Sequence, residues 1–226
     1  RVGIGINSFN FSWLLEPGEE FLSPEAVLVY SDKGFNKMSQ AYHRLYRERL
    51  CRGKFRDSVR PVLINNWEAT YFNFDEEKIL AIAEKAKEAG IELFVLDDGW
   101  FGRRDSDNCS LGDWKVYEKK LPCGIGKLAE KINAMGMKFG LWFEPEMVSA
   151  DSDLYREHPD WCIHIKGRDR LESRNQLILD FSRKEVRDHI LDEMTKILSS
   201  ANIEYIKWDM NRNMSEVGNE VLPAER

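Results

Sequence analysis

The sequence predicts an α/β fold: the first half of a (β/α)8 TIM-type barrel, preceded by the last strands of a β-sandwich domain. Three observations predict it. From about residue 54 onward, apolar strand-like runs alternate with amphipathic helix-like segments, the rhythm of parallel strands joined by crossover helices. Successive runs begin apolar and end in charged, amide and indole side chains, the asymmetry of a barrel whose chemistry lies at the carboxyl ends of its strands. The first run is followed by Asn66-Trp67-Glu68-Ala69-Thr70, without the glycine-rich phosphate loop of an open doubly wound sheet.

Taken in order, residues 1 to about 31 read as β-structure. Val2, Ile4 and Ile6 alternate with smaller or polar residues, as do Phe9, Phe11 and Trp13, the period of a half-buried strand. Glu16-Pro17-Gly18-Glu19 is turn chemistry, and Ala26 to Tyr30 reads as another strand closed by Ser31-Asp32-Lys33-Gly34. The period then changes: Phe35, Met38, Tyr42, Leu45 and Tyr46 fall at helical spacing. The expected division is 1–34 for the end of the sandwich, 35–53 for a linker helix and 54–226 for the half-barrel.

The β-then-α units follow. Pro61 to Trp67 reads as the first strand, and a helix from about Phe74 to Ala89 carries Ile79, Ile82, Ala83 and Ala86 inward, with Asn73 and Glu76 as its capping box. Ile91 to Leu96 is the second strand and ends in Asp97-Asp98-Gly99-Trp100. A helix over Gly126 to Met135 leads to the third strand, Lys138 to Phe143, which ends in Glu144-Pro145-Glu146. Ser182 with Glu185 predicts another capping box, opening a helix with the stripe Val186, Ile190, Met194 and Ile197. The fourth strand begins at Ile203 and runs into Lys207-Trp208-Asp209-Met210-Asn211-Arg212. A closed barrel needs eight such strands; Asn213 to Arg226 is polar and predicts no fifth.

Composition narrows the function classes. A 226-residue chain with 42% hydrophobic residues and 12 phenylalanines builds a core. Net charge is −6, which argues against a nucleic-acid partner. No apolar run approaches the roughly 18 residues of a membrane span. The chain begins with Arg1 inside a strand-like pattern, so an excerpt of a longer protein is expected. Cys51, Cys109, Cys123 and Cys162 form no C-x-x-C pair, which fits a reducing cytoplasm better than a disulfide framework. With His158 and His164, Cys109 and Cys123 have irregular spacing for zinc, and neither metal nor cofactor is expected.

The strand ends collect Trp67; Asp97 and Asp98; Trp142, Glu144 and Glu146; and Lys207, Asp209, Asn211 and Arg212. Carboxylates and indoles converging on one cup suit a carbohydrate, whose ring stacks on indoles and whose hydroxyls pair with carboxylates and amides. Glycosidases need two carboxyls flanking the bond, and no serine–histidine pairing competes for the role. Each residue has a plainer reading. The tryptophans could be core, Asp97 and Asp98 a helix-capping turn, and Arg103, Arg104 and Asp105 a solvated loop. Glu144 and Glu146 are expected to brace the strand end rather than react. Spacing alone does not choose the carboxylate that attacks.

Asn65-Asn66-Trp67-Glu68-Ala69-Thr70, Leu96-Asp97-Asp98-Gly99-Trp100-Phe101-Gly102, Leu111-Gly112-Asp113-Trp114, Gly140-Leu141-Trp142-Phe143-Glu144-Pro145-Glu146-Met147 and Lys207-Trp208-Asp209-Met210-Asn211-Arg212 closely resemble the bacterial α-galactosidases of glycoside hydrolase family 36. The motifs run in register over nearly the whole chain. The resemblance implies that Asp209 is the nucleophile of a retaining mechanism and that Asp97 and Asp98 grip the hydroxyls on galactose carbons 4 and 6. It implies sugar-binding positions at Lys207, Asn211 and Arg174 and aromatic walls at Trp67 and Trp142. The family's acid/base is an aspartate on a later strand, which falls beyond Arg226. The substrate implied is an α-galactoside of raffinose or melibiose type, and the full-length parent is expected to be a homo-oligomer. An α-N-acetylgalactosaminidase, a galactosyl transferase and an inactive sugar-binding fragment remain as alternatives.

Physically, Lys207 lies two residues from Asp209, on the same face of a strand, where an ammonium favours an ionised carboxylate. Asp97 and Asp98 cannot both face inward without a bend. As a like-charge pair they need donors, and Arg174 and Lys207 are the expected ones.

Overall fold

In the computed structural model, residues 3–8, 11–215, 218–219, 221–223 and 225 are described. The chain divides into two units, Arg1–Arg60 with Val221–Arg226, and Pro61–Glu220.

In the first unit the expected sandwich strands do not form. Among the described residues before Gly34 no backbone ladder pairs one extended stretch with another, and Leu28 and Tyr30 stay exposed. A strand is stable only when a neighbour takes up its N–H and C=O groups in succession; here Leu14 N donates to Glu225 O (2.9 Å), a bond that no ladder continues. Val2, Phe9 and Asn10 lie outside the described residues. The turn does form: Glu19 N donates to Glu16 O (3.0 Å) with Gly18 at φ +88°. Phe21 packs against Phe11 and Trp13 at 5.8 and 5.2 Å between ring centroids. Helix α1 spans Gly34–Leu45. Met38, Tyr42 and Leu45 are half-buried along one side, whereas Phe35 is exposed at the first turn. The helix ends in a wider turn, Tyr46–Leu50, closed by Cys51 N donating to Tyr46 O (2.7 Å).

The second unit holds the β/α succession: β1 Leu63–Asn65, α2 Trp67–Thr70, α3 Glu76–Glu88, β2 Leu93–Leu96, α4 Gly124–Ala134, β3 Lys138–Phe143, β4 Met147–Val148, α5 Asp153–Glu157, β5 Leu177–Ile178, α6 Lys184–Ser199 and β6 Tyr205–Trp208. Strands β1, β2, β3 and β6 form one sheet in chain order, every pair parallel, with Leu63 beside Leu93, Leu93 beside Lys138 and Leu141 beside Ile206. The central strands are buried on both faces, as parallel strands covered by helices are; β1 and β6, at the edges, are partly exposed. Gly140 permits the β3–β6 approach, because a Cβ there would stand 3.0 Å from Tyr205 Cβ and 3.1 Å from its carbonyl. The short antiparallel pair β4–β5 was not foreseen; two-residue strands carry no readable period.

The helices bury the expected stripes: Ile79, Ala83 and Ala86 from α3, Leu128 and Ile132 from α4, and Val186, Ile190 and Met194 from α6. Their caps differ from expectation. Phe74 is buried in the core, so α3 starts beyond it, and Asp75 rather than Asn73 caps it by accepting from Lys78 N (2.9 Å). The Ser182–Glu185 box does not form. Ser182 donates to Asp180 (2.6 Å) and Glu185 accepts from Arg183 (2.7 Å), leaving Arg183 as the N-cap residue. Among the described residues no helix is long and apolar enough to cross a membrane.

Candidate active site

Above the strand ends lies a packed aromatic floor. Trp100, Phe101, Trp114, Trp142 and Phe143 are all buried. Phe101 and Trp142 are parallel within 3° at 6.0 Å, and Phe101 and Trp114 approach to 4.5 Å. Such pairs contribute about 0.5–1.5 kcal/mol each beyond their buried area. The Trp100 indole donates to the Trp142 carbonyl (2.9 Å), which fixes the end of β3. The indole of Trp142, the next polar group along, donates to Asp209 Oδ2 at 3.0 Å.

Asp209 follows directly on β6, its amide held by the Phe143 carbonyl (2.8 Å), while its Oδ1 accepts from Met210 N (3.0 Å). Burial alone would raise this carboxyl. Hydrogen bonds from Trp142, Asn211 and the Met210 amide, with the charge of Lys207, outweigh burial and hold it below the usual aspartate range. It is therefore an anion near neutral pH.

The aspartate pair sits where β2 stops. The strand ends at Leu96 and the chain turns through Asp98 and Gly99, with Gly99 at φ +106°, so the bend expected there exists. Asp97 N donates to the side chain of buried Asn66 (2.8 Å), which ties the ends of β1 and β2. Lys207 Nζ reaches Asp97 Oδ2 at 2.8 Å. Asp98 takes a different cation: Arg104 Nε and Nη2 each lie 2.8 Å from one of its oxygens. Arg104 is thus buried and paired, not part of a solvated loop, because the chain after Gly99 folds back over the strand end. Burial still pushes the Asp98 carboxyl upward, against the pull of Arg104. Arg174, expected as a donor to this pair, makes no hydrogen bond to either aspartate.

A fourth carboxyl, Glu144, is fully buried at the end of β3. It accepts from Gln176 Nε2 (3.0 Å), from Asn211 Nδ2 (3.2 Å) and from the Asn211 amide. Burial raises it above its ordinary value. Glu146 accepts the Trp208 indole on both oxygens at 3.0 Å. Glu144 thus holds the segment after β6, and Glu146 holds Trp208, the last residue of β6. Arg212 is buried and donates to the carbonyls of Leu171 (2.9 Å) and Gln176 (2.7 Å). That lashes the tight turn Ser173–Gln176 beside the pocket. Arg174 and Asn175, the central residues of this turn, both have positive φ (+55° and +58°).

These groups enclose one cavity of about 190 Å³. Trp67 lines it from the start of α2, Asp97 and Asp98 from the turn after β2, and Trp142 from β3; Lys207 lines it from β6, Asp209 and Asn211 from the segment that follows, and Arg174 from the turn. Each residue to which the resemblance gives a site role borders this space, whereas Glu146 and Arg212, also collected at the strand ends, do not. Phe72, Arg104, Asp107, Glu144 and Gln176 complete it. Residues 20–226 match the model of the melibiase family.

The chain belongs to the melibiase family.

The α-galactosidase AgaA of Geobacillus stearothermophilus is 62% identical over 226 residues, covering 100% of this chain and 31% of that protein. The α-galactosidase Mel36A of Lactobacillus acidophilus is 59% identical over the same length, again 31% of the relative. Among solved structures, the GH36 α-galactosidase AgaB from G. stearothermophilus superposes with a TM-score of 0.95 at 62% identity, over 98% of this chain and 31% of that one. The chain thus spans about a third of the curated relatives it matches, and its parallel α/β sheet is that of the GH36 α-galactosidases.

Within this melibiase chain the sequence had not flagged Arg104, Asn66, Gln176, Phe72 or Asp107. Asn66 stood inside a family-like motif and Gln176 two residues from Arg174, a signal that was available. Arg104 lay in a charged loop where nothing in the spacing distinguishes a buried cation from a solvated one. Among the described residues no group of three or more His, Cys, Asp or Glu side chains is arranged to hold a metal.

Proposed function

We propose that the protein containing this chain is a retaining glycoside hydrolase that removes terminal α-D-galactosyl residues from oligosaccharides of raffinose and melibiose type. The observation that carries the reading is Asp209. It is an anion at the end of a parallel strand, held by an indole, in the same small pocket as two aspartates with separate cations. Its carboxylate attacks the anomeric carbon and forms a galactosyl ester as the protonated aglycone leaves; water then hydrolyses the ester, and two inversions give retention. Asp97 and Asp98 accept the hydroxyls on carbons 4 and 6, Arg174, Lys207 and Asn211 bind further hydroxyls, and Trp67 and Trp142 wall the ring. A site that pairs with the axial 4-hydroxyl rejects the epimer, which would leave its buried polar groups unpaired.

Several features support this. The cavity is smaller than the roughly 300–1,000 Å³ of drug-sized sites, a size for one sugar ring rather than a chain. Variants of AgaA have been solved in complex with raffinose and with stachyose. Strands in chain order, all parallel, with the site at their carboxyl ends, favour the first half of a (β/α)8 barrel, which residues 1–34 would precede as the end of a β-sandwich. The acid/base is assigned to no residue of this chain. Glu144 is the remaining buried carboxyl of the pocket, and its oxygens are taken by Gln176 and Asn211. We place the full-length protein in the cytoplasm, a reading that the widely spaced cysteines without a C-x-x-C pair support, and expect it to assemble as a homo-oligomer.

The test is hydrolysis of nitrophenyl α-galactoside against its N-acetylgalactosaminide by the full-length protein. Preference for the galactoside is expected; preference for the N-acetyl substrate moves the activity to an α-N-acetylgalactosaminidase. Replacing Asp209 by Gly should lower kcat by roughly 10⁴-fold or more, and added azide should restore turnover with β-galactosyl azide as product. An α-azide or unchanged turnover would remove Asp209 from the nucleophile role.

A further inference from the structure

The two aspartates at the end of β2 are neighbours in sequence but are held from opposite sides. Lys207 comes to Asp97 from β6, whereas Arg104 comes to Asp98 from the loop that follows the pair. Arg104 is only 1% exposed, and each of its contacts restricts its movement. Its Nε and Nη2 form a two-point fork on Oδ1 and Oδ2, both at 2.8 Å; such planar pairing fixes orientation as well as charge. Nη1 donates to the Cys109 carbonyl (2.8 Å), and the guanidinium lies 5.5 Å from the Phe72 ring and 5.8 Å from that of Phe101. Its own carbonyl accepts from buried Lys120 Nζ (2.7 Å), which also holds Gly99 O (3.2 Å). The turn carrying Asp98 and the loop carrying Arg104 are thereby tied by backbone as well as by side chain.

A carboxylate offers about four acceptor directions. The Arg104 fork takes one on each oxygen and stops rotation of the carboxylate plane, and the Gly99 amide takes a further one, leaving the rest for a ligand. Without the fork, Asp98 would keep the Gly99 amide but lose its ion-pair partner and the second point that fixes its plane, next to the like charge of Asp97. A lysine at this position would supply charge without a plane. Arg104 borders the cavity beside Asp98, so the locked carboxylate and its lock occupy the same wall.

We propose that Arg104 is a positioning residue for Asp98, and that discrimination of the sugar hydroxyl at this wall depends on its two-point fork. The inference rests on the galactoside reading of the pocket. It is tested in the full-length protein with Arg104→Lys and Arg104→Gln, each also combined with Asp98→Asn. KM and kcat are measured for nitrophenyl α-galactoside, and inhibition is measured for galactose against its 4-deoxy and 6-deoxy analogues. KM should rise about tenfold or more for the variants, with kcat changing less. The preference for galactose over the analogue that lacks the Asp98-bound hydroxyl should shrink by a similar factor. In the Asp98→Asn background, replacing Arg104 should change KM by less than about twofold, because coupled residues do not add.

Wild-type KM and wild-type discrimination in the variants would overturn the proposal. So would losses that add fully in the double variants, since Arg104 would then act independently of Asp98. Thermal melts accompany the kinetics; if Arg104→Gln does not fold, Arg104→Lys, which keeps the buried charge, decides. A wild-type protein that hydrolyses no galactoside would instead defeat the galactoside reading, and this inference with it, an outcome distinct from an active wild type with unaltered variants.

Discussion

Of the groups that hold the Asp209 carboxyl low against its burial, the Trp142 indole contributes most. Trp142 is a residue one would place in a sugar site for its ring face, and its ring is indeed packed in the aromatic floor; its N–H, however, is spent on Asp209 Oδ2. The depressed pKa of Asp209 means that the ionised form persists below the usual aspartate range and is lost only as pH falls through the lowered value. Trp142→Phe keeps the ring and removes the donor. The acid limb of kcat/KM should therefore move to higher pH, and kcat should fall by about tenfold or more, the equivalent of one charge-assisted bond. An acid limb unmoved in Trp142→Phe would show that Asn211, the Met210 amide and Lys207 suffice to offset the burial of Asp209. The placement of Lys207 and Asp209 on one face of a strand end was legible from their two-residue spacing. That Lys207 reaches Asp97 was also among the expected pairings, but that Arg104 takes Asp98 was not.

At the scale of elements, the tight turn between Ser173 and Gln176 places a strained residue at the pocket. Its ends exchange both backbone bonds, Ser173 N to Gln176 O (3.1 Å) and Gln176 N to Ser173 O (3.0 Å). Positive φ at both central positions is the geometry that favours Asn or Gly. Asn175 suits it; Arg174 does not, and an L-residue held there costs of order 1 kcal/mol or more. Strain retained beside a binding pocket points to function. Arg174→Gly should raise stability by up to about 1 kcal/mol, reduced by the freedom glycine gains in the unfolded chain, while KM for the galactoside rises. A denaturant melt together with KM checks it: unchanged KM would remove Arg174 from the sugar, and lower stability would remove the strain. The helix stripes were readable because their period is set by backbone geometry, whereas the caps were not. Buried Phe74 moved the start of α3, and Asp180 took Ser182 away from α6.

For the chain as a whole, the sheet of the second unit has two open sides. Tyr205, Ile206 and Trp208 on β6 are exposed, Trp208 by 54%, as are Val62 and Leu63 at the β1 side. Apolar edges of parallel strands invite pairing with other chains. Residues 1–226 expressed alone should therefore self-associate in size-exclusion chromatography with light scattering, and should show negligible turnover of melibiose. A monomer that melts cooperatively would contradict the first expectation, and robust hydrolysis the second, which would direct attention back to Glu144.

The sequence by itself determined the β/α alternation, the buried helix faces, the gathering of carboxylates, amides and indoles at the strand ends and the family. These follow from periodicity and from contiguous motifs, both local properties of the chain. Only the tertiary structure decided which charges meet. Arg104 on Asp98, Lys207 on Asp97, Asn66 under the Asp97 amide and Glu144 between Gln176 and Asn211 join residues from different loops and strands, and no period records such a meeting. Among the described residues the early stretches form no ladder, since a strand is a property of a pair and alternating side chains alone do not supply the partner.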